Sequence, residues 1–278
     1  MTPEPAKKRR RWLRIAGLVL ASLAIAHFVA VCFGIVISWP FDVAINLGGD
    51  LSVPALQAPA DGRRRVVVLQ HGLWRTPASL GRLERTLRAH GYEVHNPGYP
   101  STRERIEDHA VLLHAVVESI YATAPVDELS FVGHSLGGLV IEQYLRAADA
   151  RPVTACVYLA TPHRGALLAD LRKHWFLFPL LMGHTAAIEL SPGDALHQRP
   201  IPAADVSGTI VGDIGEGNAS IPGHDDGTVA IDEASLAGAR DSVTLPLGHT
   251  SISCDPAAIL QVLHFLKHRG FAPVAEPR

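Results

Sequence analysis

Gly133-His134-Ser135-Leu136-Gly137 sits between an apolar run, Leu129–Val132, and a second apolar stretch that begins Gly138-Leu139-Val140. A serine hydroxyl is a weak nucleophile until a neighbouring base activates it and the backbone presents it. This spacing supplies the presentation. A serine on a sharp strand-to-helix turn sits in strained backbone, and the residues two positions either side press against other chain. Gly133 and Gly137 have no Cβ and permit that approach. The hydroxyl then projects from the sheet edge, and the backbone N–H of Leu136, at the helix start, can meet an oxyanion. Attack on an acyl carbonyl is the chemistry such a group performs, once a base and an acid complete it.

The remaining reactive residue types show less order. There are 15 histidines, in no metal-ligand spacing. His109 and His114 are expected on the surface of a helix, and His71, His134 and His163 as supports for loops. The three cysteines, Cys32, Cys156 and Cys254, make no C-x-x-C pair, so neither a zinc site nor a disulfide framework is implied. Buried, inert thiols are expected, with a Cys156–Cys254 bridge left open for an oxidising compartment. No metal and no cofactor are called for.

Presenting a serine at a strand end takes a sheet. Arg65–Gln70 is a short apolar run with the composition of a buried parallel strand. A helical pattern follows from Pro77 to Arg88, then a strand at Tyr92–Asn96. A helix of about 20 residues starts near Arg103, with Ser101 and Thr102 as its capping candidates. Further strands are expected at Leu129–Val132, Val153–Leu159, Val206–Val211 and Ser242–Leu247, with helices to about Ala148 and over Ala257–His268. Residues 163–205 carry no clear strand signal. Strands alternating with helices predict an α/β fold, a mostly parallel sheet with helices on both faces.

The net charge of -2 hides an asymmetry. Residues 1–14 hold six basic residues against Glu4, a balance of +5, so the rest of the chain carries -7. An acidic body gives no reason to expect nucleic acid as a partner. From Ile15 to Ser38 there is no charged side chain, and Trp12 and Trp39 flank the run. In a helix that length crosses a roughly 30 Å hydrocarbon core. The expected organisation is a basic cytoplasmic segment (1–14), a transmembrane anchor (15–39), a linker (40–62) and a globular domain (63–278). Basic residues before the run, and none after it until Arg63, put the domain on the non-cytoplasmic side. The competing expectation is secretion after signal cleavage, for which Ala24-Ile25-Ala26 offers a site. Arg63-Arg64-Arg65 would be a solvated face, or would meet anionic head groups beside the anchor.

These residues together resemble the α/β-hydrolase superfamily and, within it, bacterial lipases and esterases. The resemblance covers roughly Val66 to Phe271. His71-Gly72-Leu73-Trp74 stands where those enzymes carry a His-Gly segment, and Thr161-Pro162-His163-Arg164-Gly165 where lipases have a similar loop. Asp226-Gly227-Thr228-Val229 and Leu247-Gly248-His249 resemble their acid and histidine loops, in the Ser, Asp, His order this fold uses. The resemblance implies Ser135 as nucleophile, His249 as base and Asp226 as the acid that orients it, with the backbone N–H groups of Leu73 and Leu136 as oxyanion hole. Asp225 and Asp213 stand as alternatives for the acid.

It also implies a cap or lid near 166–205, in which Trp175–Met182 is the most apolar part: a groove for acyl chains, a membrane-touching surface, or a helix filling its own core. The expected function is hydrolysis of carboxylic esters, lipid or small-molecule, through an acyl-enzyme. Acyl transfer with the same triad and a non-catalytic, membrane-tethered binding module are the competitors.

Overall fold

The computed structural model describes residue 22, residues 61–173 and residues 186–274. Six strands form one parallel sheet: β1 (Arg65–Gln70), β2 (Glu93–His95), β3 (Glu128–His134), β4 (Ala155–Leu159), β5 (Ser207–Gly212) and β6 (Asp241–Leu245). Their spatial order is β2-β1-β3-β4-β5-β6, with β1 and β3 side by side, Val68 opposite Phe131. The larger helices are α1 (Gly81–Ala89), α2 (Ile106–Thr123), α3 (Leu136–Leu145) and α7 (Pro256–His268), with short helices α4 (Leu167–Arg172), α5 (Ala186–Glu189) and α6 (Ile231–Ala234) between.

The near-continuous apolar run of β1 follows from burial on both faces. Successive side chains point to opposite sides of a strand. Val66 and Val68 join the core under α2 and α3, with Leu113, Phe131 and Tyr144. Val67 and Leu69 join the core under α1 and α7, with Leu83, Val132 and Phe265. Burying each such side chain contributes about 1.5–3 kcal/mol, so the two clusters clamp the central strands from above and below. Cys156 lies in the first cluster, and its burial pushes the thiol up to about 12. Both Cys156 and Cys254 are free, so no bridge joins them.

Two local expectations are corrected. Ser101 and Thr102 do not cap α2. The capping position is Arg105, whose backbone N–H donates to Asp108 Oδ2 at 3.1 Å, while the N–H of Ile106 donates to Glu189 Oε2 at 2.7 Å. A carboxylate 83 positions away in the chain leaves no local signature. Ser101 is buried instead, and its Oγ accepts from the backbone N–H of Trp74.

His109 is 1% exposed rather than on the surface. Its ring meets Tyr99 edge-on at 4.7 Å, and neither ring nitrogen has a hydrogen-bond partner among the described residues. Burial holds its pKa at about 4, against an ordinary 6.5. The unfolded chain therefore takes up a proton that the folded one refuses, and stability falls as pH drops from 6.5 towards 4. Between pH 7 and 5 this group should remove about 1–2 kcal/mol, seen as a lowered urea midpoint. His109→Leu should flatten that loss; an unchanged pH slope would refute the assignment.

The arginine triple is neither free nor uniform. Arg64 turns back to Glu93 at 2.7 and 2.8 Å, and with His95 holds that carboxyl down at about 2. Arg63 and Arg65 both reach Glu128, at 3.0 and 3.2 Å.

Among the described residues no helix is long and apolar enough to cross a membrane. The expected basic segment and nearly all of the anchor and of the linker lie outside the described residues, as does Trp175–Met182 of the expected cap.

Candidate active site

The C-terminal ends of β3, β5 and β6, and the turns after them, bring three side chains together. Ser135 links β3 directly to α3, with φ 53° and ψ -123°. A positive φ is uncommon in a residue with a Cβ, and it fits a tightly folded turn whose conformation the surroundings impose. The surroundings explain the flanking glycines. A Cβ on Gly133 would meet Gly138 Cα at 2.6 Å, and one on Gly137 would meet the carbonyl oxygen of His71 at 2.6 Å. No side chain fits at either position without moving backbone. Ser135 N–H donates to Leu159 O at 2.9 Å, which fixes the elbow to the end of β4.

His249 lies in the turn after β6. Its Nε2 is 3.0 Å from Ser135 Oγ and its Nδ1 is 2.7 Å from Asp226 Oδ2. The carboxylate can only accept, so Nδ1 carries the proton. Nε2 of the neutral ring is then bare and accepts from the serine hydroxyl. Asp226 is held in turn: its Oδ1 accepts the backbone N–H groups of Thr228 (2.9 Å) and Val229 (2.7 Å). The backbone N–H of His249 donates to Asp226 O at 2.8 Å, locking the two loops in register. Asp226 is 3% exposed, so water competes little for its carboxylate.

The alternative acids are elsewhere. Asp225 is buried and shapes its own turn, accepting the N–H groups of Gly227 and Asn218. Asp213 pairs with His224 at 3.0 Å and receives the N–H of Gly215. His224 keeps the Asp213 carboxyl below the usual range. Neither touches His249 among the described residues.

The backbone N–H groups of Leu73 and Leu136 have no protein acceptor among the described residues. Leu136 opens α3 and Leu73 follows the end of β1. Gly72 keeps the two loops close, since a Cβ there would lie 3.2 Å from Ser135 Cβ. The arrangement can therefore deliver a serine oxygen to an electrophilic carbon, pass its proton to an imidazole, and offer two unengaged N–H groups.

Four supports hold the site: His134 and His163, expected as loop supports, and Glu233 and Glu189, which the sequence did not signal. His134 Nε2–H donates to the backbone carbonyl of His249 at 2.8 Å, and burial keeps this imidazole neutral. His163 Nδ1–H donates to the Glu142 carboxylate at 2.6 Å, both side chains buried against α3. Glu233, whose carboxyl is raised by burial, accepts the N–H groups of Ala230 and Leu167. Glu189, besides receiving Ile106, pairs with Arg105 at 2.7 Å. Glu233 thus holds Leu167, near the start of the expected 166–205 insertion, and Glu189, within that insertion, ties it to the start of α2. A glutamate is common in sequence, and only the fold reveals which N–H groups it faces.

The family model described as "Alpha/beta hydrolase family" matches residues 66–263. A Bacillus licheniformis lipase, BlEst2 in mature form, is similar in structure at a TM-score of 0.57 and 22% identity, over 74% of this chain and 92% of that one. The metagenomic carboxyl esterase MGS0156 is similar at 0.52 and 20%, over 68% and 65%. The type II thioesterase BorB from the borrelidin biosynthetic cluster is similar at 0.51 and 18%, over 75% and 93%. At these identities the likeness establishes the fold. No curated protein sequence matches this chain.

Proposed function

The chain belongs to the α/β-hydrolase family, and on that premise we propose that it hydrolyses carboxylic esters through an acyl-enzyme on Ser135. The observation that carries the reading is the unbroken hydrogen-bonded line from Ser135 Oγ through His249 to the buried Asp226. As Oγ attacks the ester carbonyl, its proton passes to His249 Nε2 and the C–O double bond opens to an oxyanion. The N–H groups of Leu73 and Leu136 receive that charge. Collapse breaks the bond to the alcohol, which leaves with the proton from Nε2. Water then repeats the sequence on the acyl-enzyme, releasing the acid and restoring the serine. Asp226 keeps Nδ1 protonated throughout and stabilises the imidazolium between steps. The similarity to a lipase and a carboxyl esterase favours esters, lipid or small-molecule, as the substrate class. A fluorophosphonate probe should label the native chain at Ser135 alone, with no label on Ser135→Ala. Equal labelling of both would overturn the assignment.

The same reading extends to the whole chain. Residues 166–205 form a cap over the serine, a reading supported by the ties of Leu167 to Glu233 and of Glu189 to Ile106. Residues 15–39 are a membrane anchor after a cytoplasmic segment, 1–14, and residues 40–62 tether the domain, 63–278, on the non-cytoplasmic side. The uncharged run and the basic flank support this. The intact chain should stay with membranes after alkaline carbonate washing and keep residues 1–39 by mass. Recovery as a soluble, shortened chain would favour the secreted form.

A further inference from the structure

At the opposite end of the sheet from Ser135 there is a cavity of about 560 Å³, within the roughly 300–1,000 Å³ usual for small-molecule sites. It opens where β1 and β3 begin and α7 ends. Strand β3 separates it from Ser135 by roughly 20 Å at about 3.3 Å per residue.

One wall is cationic. Arg63, Arg65, Lys267 and Arg269 line it with a single carboxylate, Glu128. Arg269 also reaches Glu128, at 3.1 Å, so three guanidinium groups share one acid. Asp61 takes part of the Arg65 charge. Lys267 is exposed and has no carboxylate partner among the described residues. His90 also lines the cavity. The other wall is apolar, made by Leu260, Leu263 and Leu266, with Leu260 45% exposed.

Basic residues in a last helical turn commonly answer the helix dipole. That accounts for Lys267 on α7, but not for Arg63 and Arg65, which belong to the start of β1. Nor does overall charge explain the cluster, because the chain beyond residue 14 carries -7. A cationic cavity in an acidic body concentrates anions locally.

We propose that this cavity binds the phosphate head group of an anionic lipid, with the leucines receiving the first methylenes of its acyl chain. Guanidinium forks match phosphate oxygens two at a time, and Lys267 adds a mobile point charge. The chain enters β1 beside this cavity, so the site sits where the domain meets the preceding segment. The inference does not depend on the esterase reading, since none of these residues approaches Ser135.

The test uses the full chain in neutral detergent, carrying Ser135→Ala so that ester probes are not consumed. It is titrated by calorimetry with dioctanoyl phosphatidylglycerol, dioctanoyl phosphatidylcholine and inorganic phosphate. Phosphatidylglycerol should bind at least ~10-fold more tightly than either of the others, and Arg63→Glu/Lys267→Glu should weaken it at least ~10-fold. Lys267→Glu alone, on an exposed turn, should weaken it about 3-fold without moving Tm, which guards against misfolding of the double variant. Three results would each overturn the proposal: phosphatidylcholine binding as tightly, inorganic phosphate binding as tightly, or charge reversal leaving affinity unchanged.

Discussion

Ser135→Ala should reduce kcat for ester hydrolysis by about 10⁶ and leave the fold unchanged. The size follows from the unit in which Ser135 acts. Without Oγ there is no acyl-enzyme, and His249 and Asp226 have no proton to move. What survives is binding plus the N–H groups of Leu73 and Leu136, which can sustain about 10³–10⁴ over the uncatalysed rate. Folding should be indifferent, because alanine keeps the Cβ and the strain at φ 53°. The serine hydroxyl gives up one hydrogen bond, to a ring that is 13% exposed and can turn to water. Ser135→Gly makes the complementary point. It should be just as inactive, yet more stable than Ser135→Ala by about 1 kcal/mol, since glycine takes a positive φ without penalty. Ester turnover by either variant within 100-fold of native would sink the acyl-enzyme scheme. Equal Tm values for the two would show that the turn holds no strain.

The sheet was the most legible part of the molecule. Runs such as Arg65–Gln70 and Val153–Leu159 are apolar because both faces are covered. Observed strand bounds match the expected ones at β1 and differ by at most two residues elsewhere, as at β3, where the ladder continues through Gly133 and His134. The serine turn was legible for a steric reason: backbone packed against Gly133 and Gly137 excludes every residue with a Cβ. The resemblance to the family's acid and histidine loops pointed to the His249 and Asp226 that lie beside it, with Asp225 and Asp213 left as alternatives that chain order could not separate.

What stayed hidden is whatever depends on a partner distant in sequence. Glu189 caps α2 from 83 positions away, and His109 looked solvent-facing until Tyr99 packed over it. The basic cavity was hidden for the same reason. The arginine triple stood out in the sequence but Lys267 did not, and only parallel pairing of β1 with β3 beneath the end of α7 brings Arg63 and Lys267 to one wall.

Replacing the acid gives the second large effect. Asp226→Asn should lower kcat by about 10⁴ with little change in KM. Asn keeps an oxygen that can still accept from Thr228 and Val229, so the loop should hold its shape. Its amide then faces His249 Nδ1, and two donors would meet. The imidazole escapes by moving its proton to Nε2, which turns an N–H towards Ser135 Oγ and leaves no base there. The loss is therefore one of tautomer, and fluorophosphonate labelling should slow in proportion to kcat. Asp213→Asn disturbs only a pair with the exposed His224 and should stay within about 3-fold of native. Asp225→Asn lies between them. It keeps an oxygen for the N–H of Gly227 or Asn218 but not both charge-assisted bonds, so stability should fall by about 1–3 kcal/mol. Its kcat should follow only as far as the neighbouring loop shifts. The pattern distinguishes an acid that tunes a base from one that folds a turn: the first loses rate at constant Tm, the second loses Tm first. A 10⁴-fold loss on Asp213→Asn, with Asp226→Asn near native, would reassign the acid to the other side of the loop.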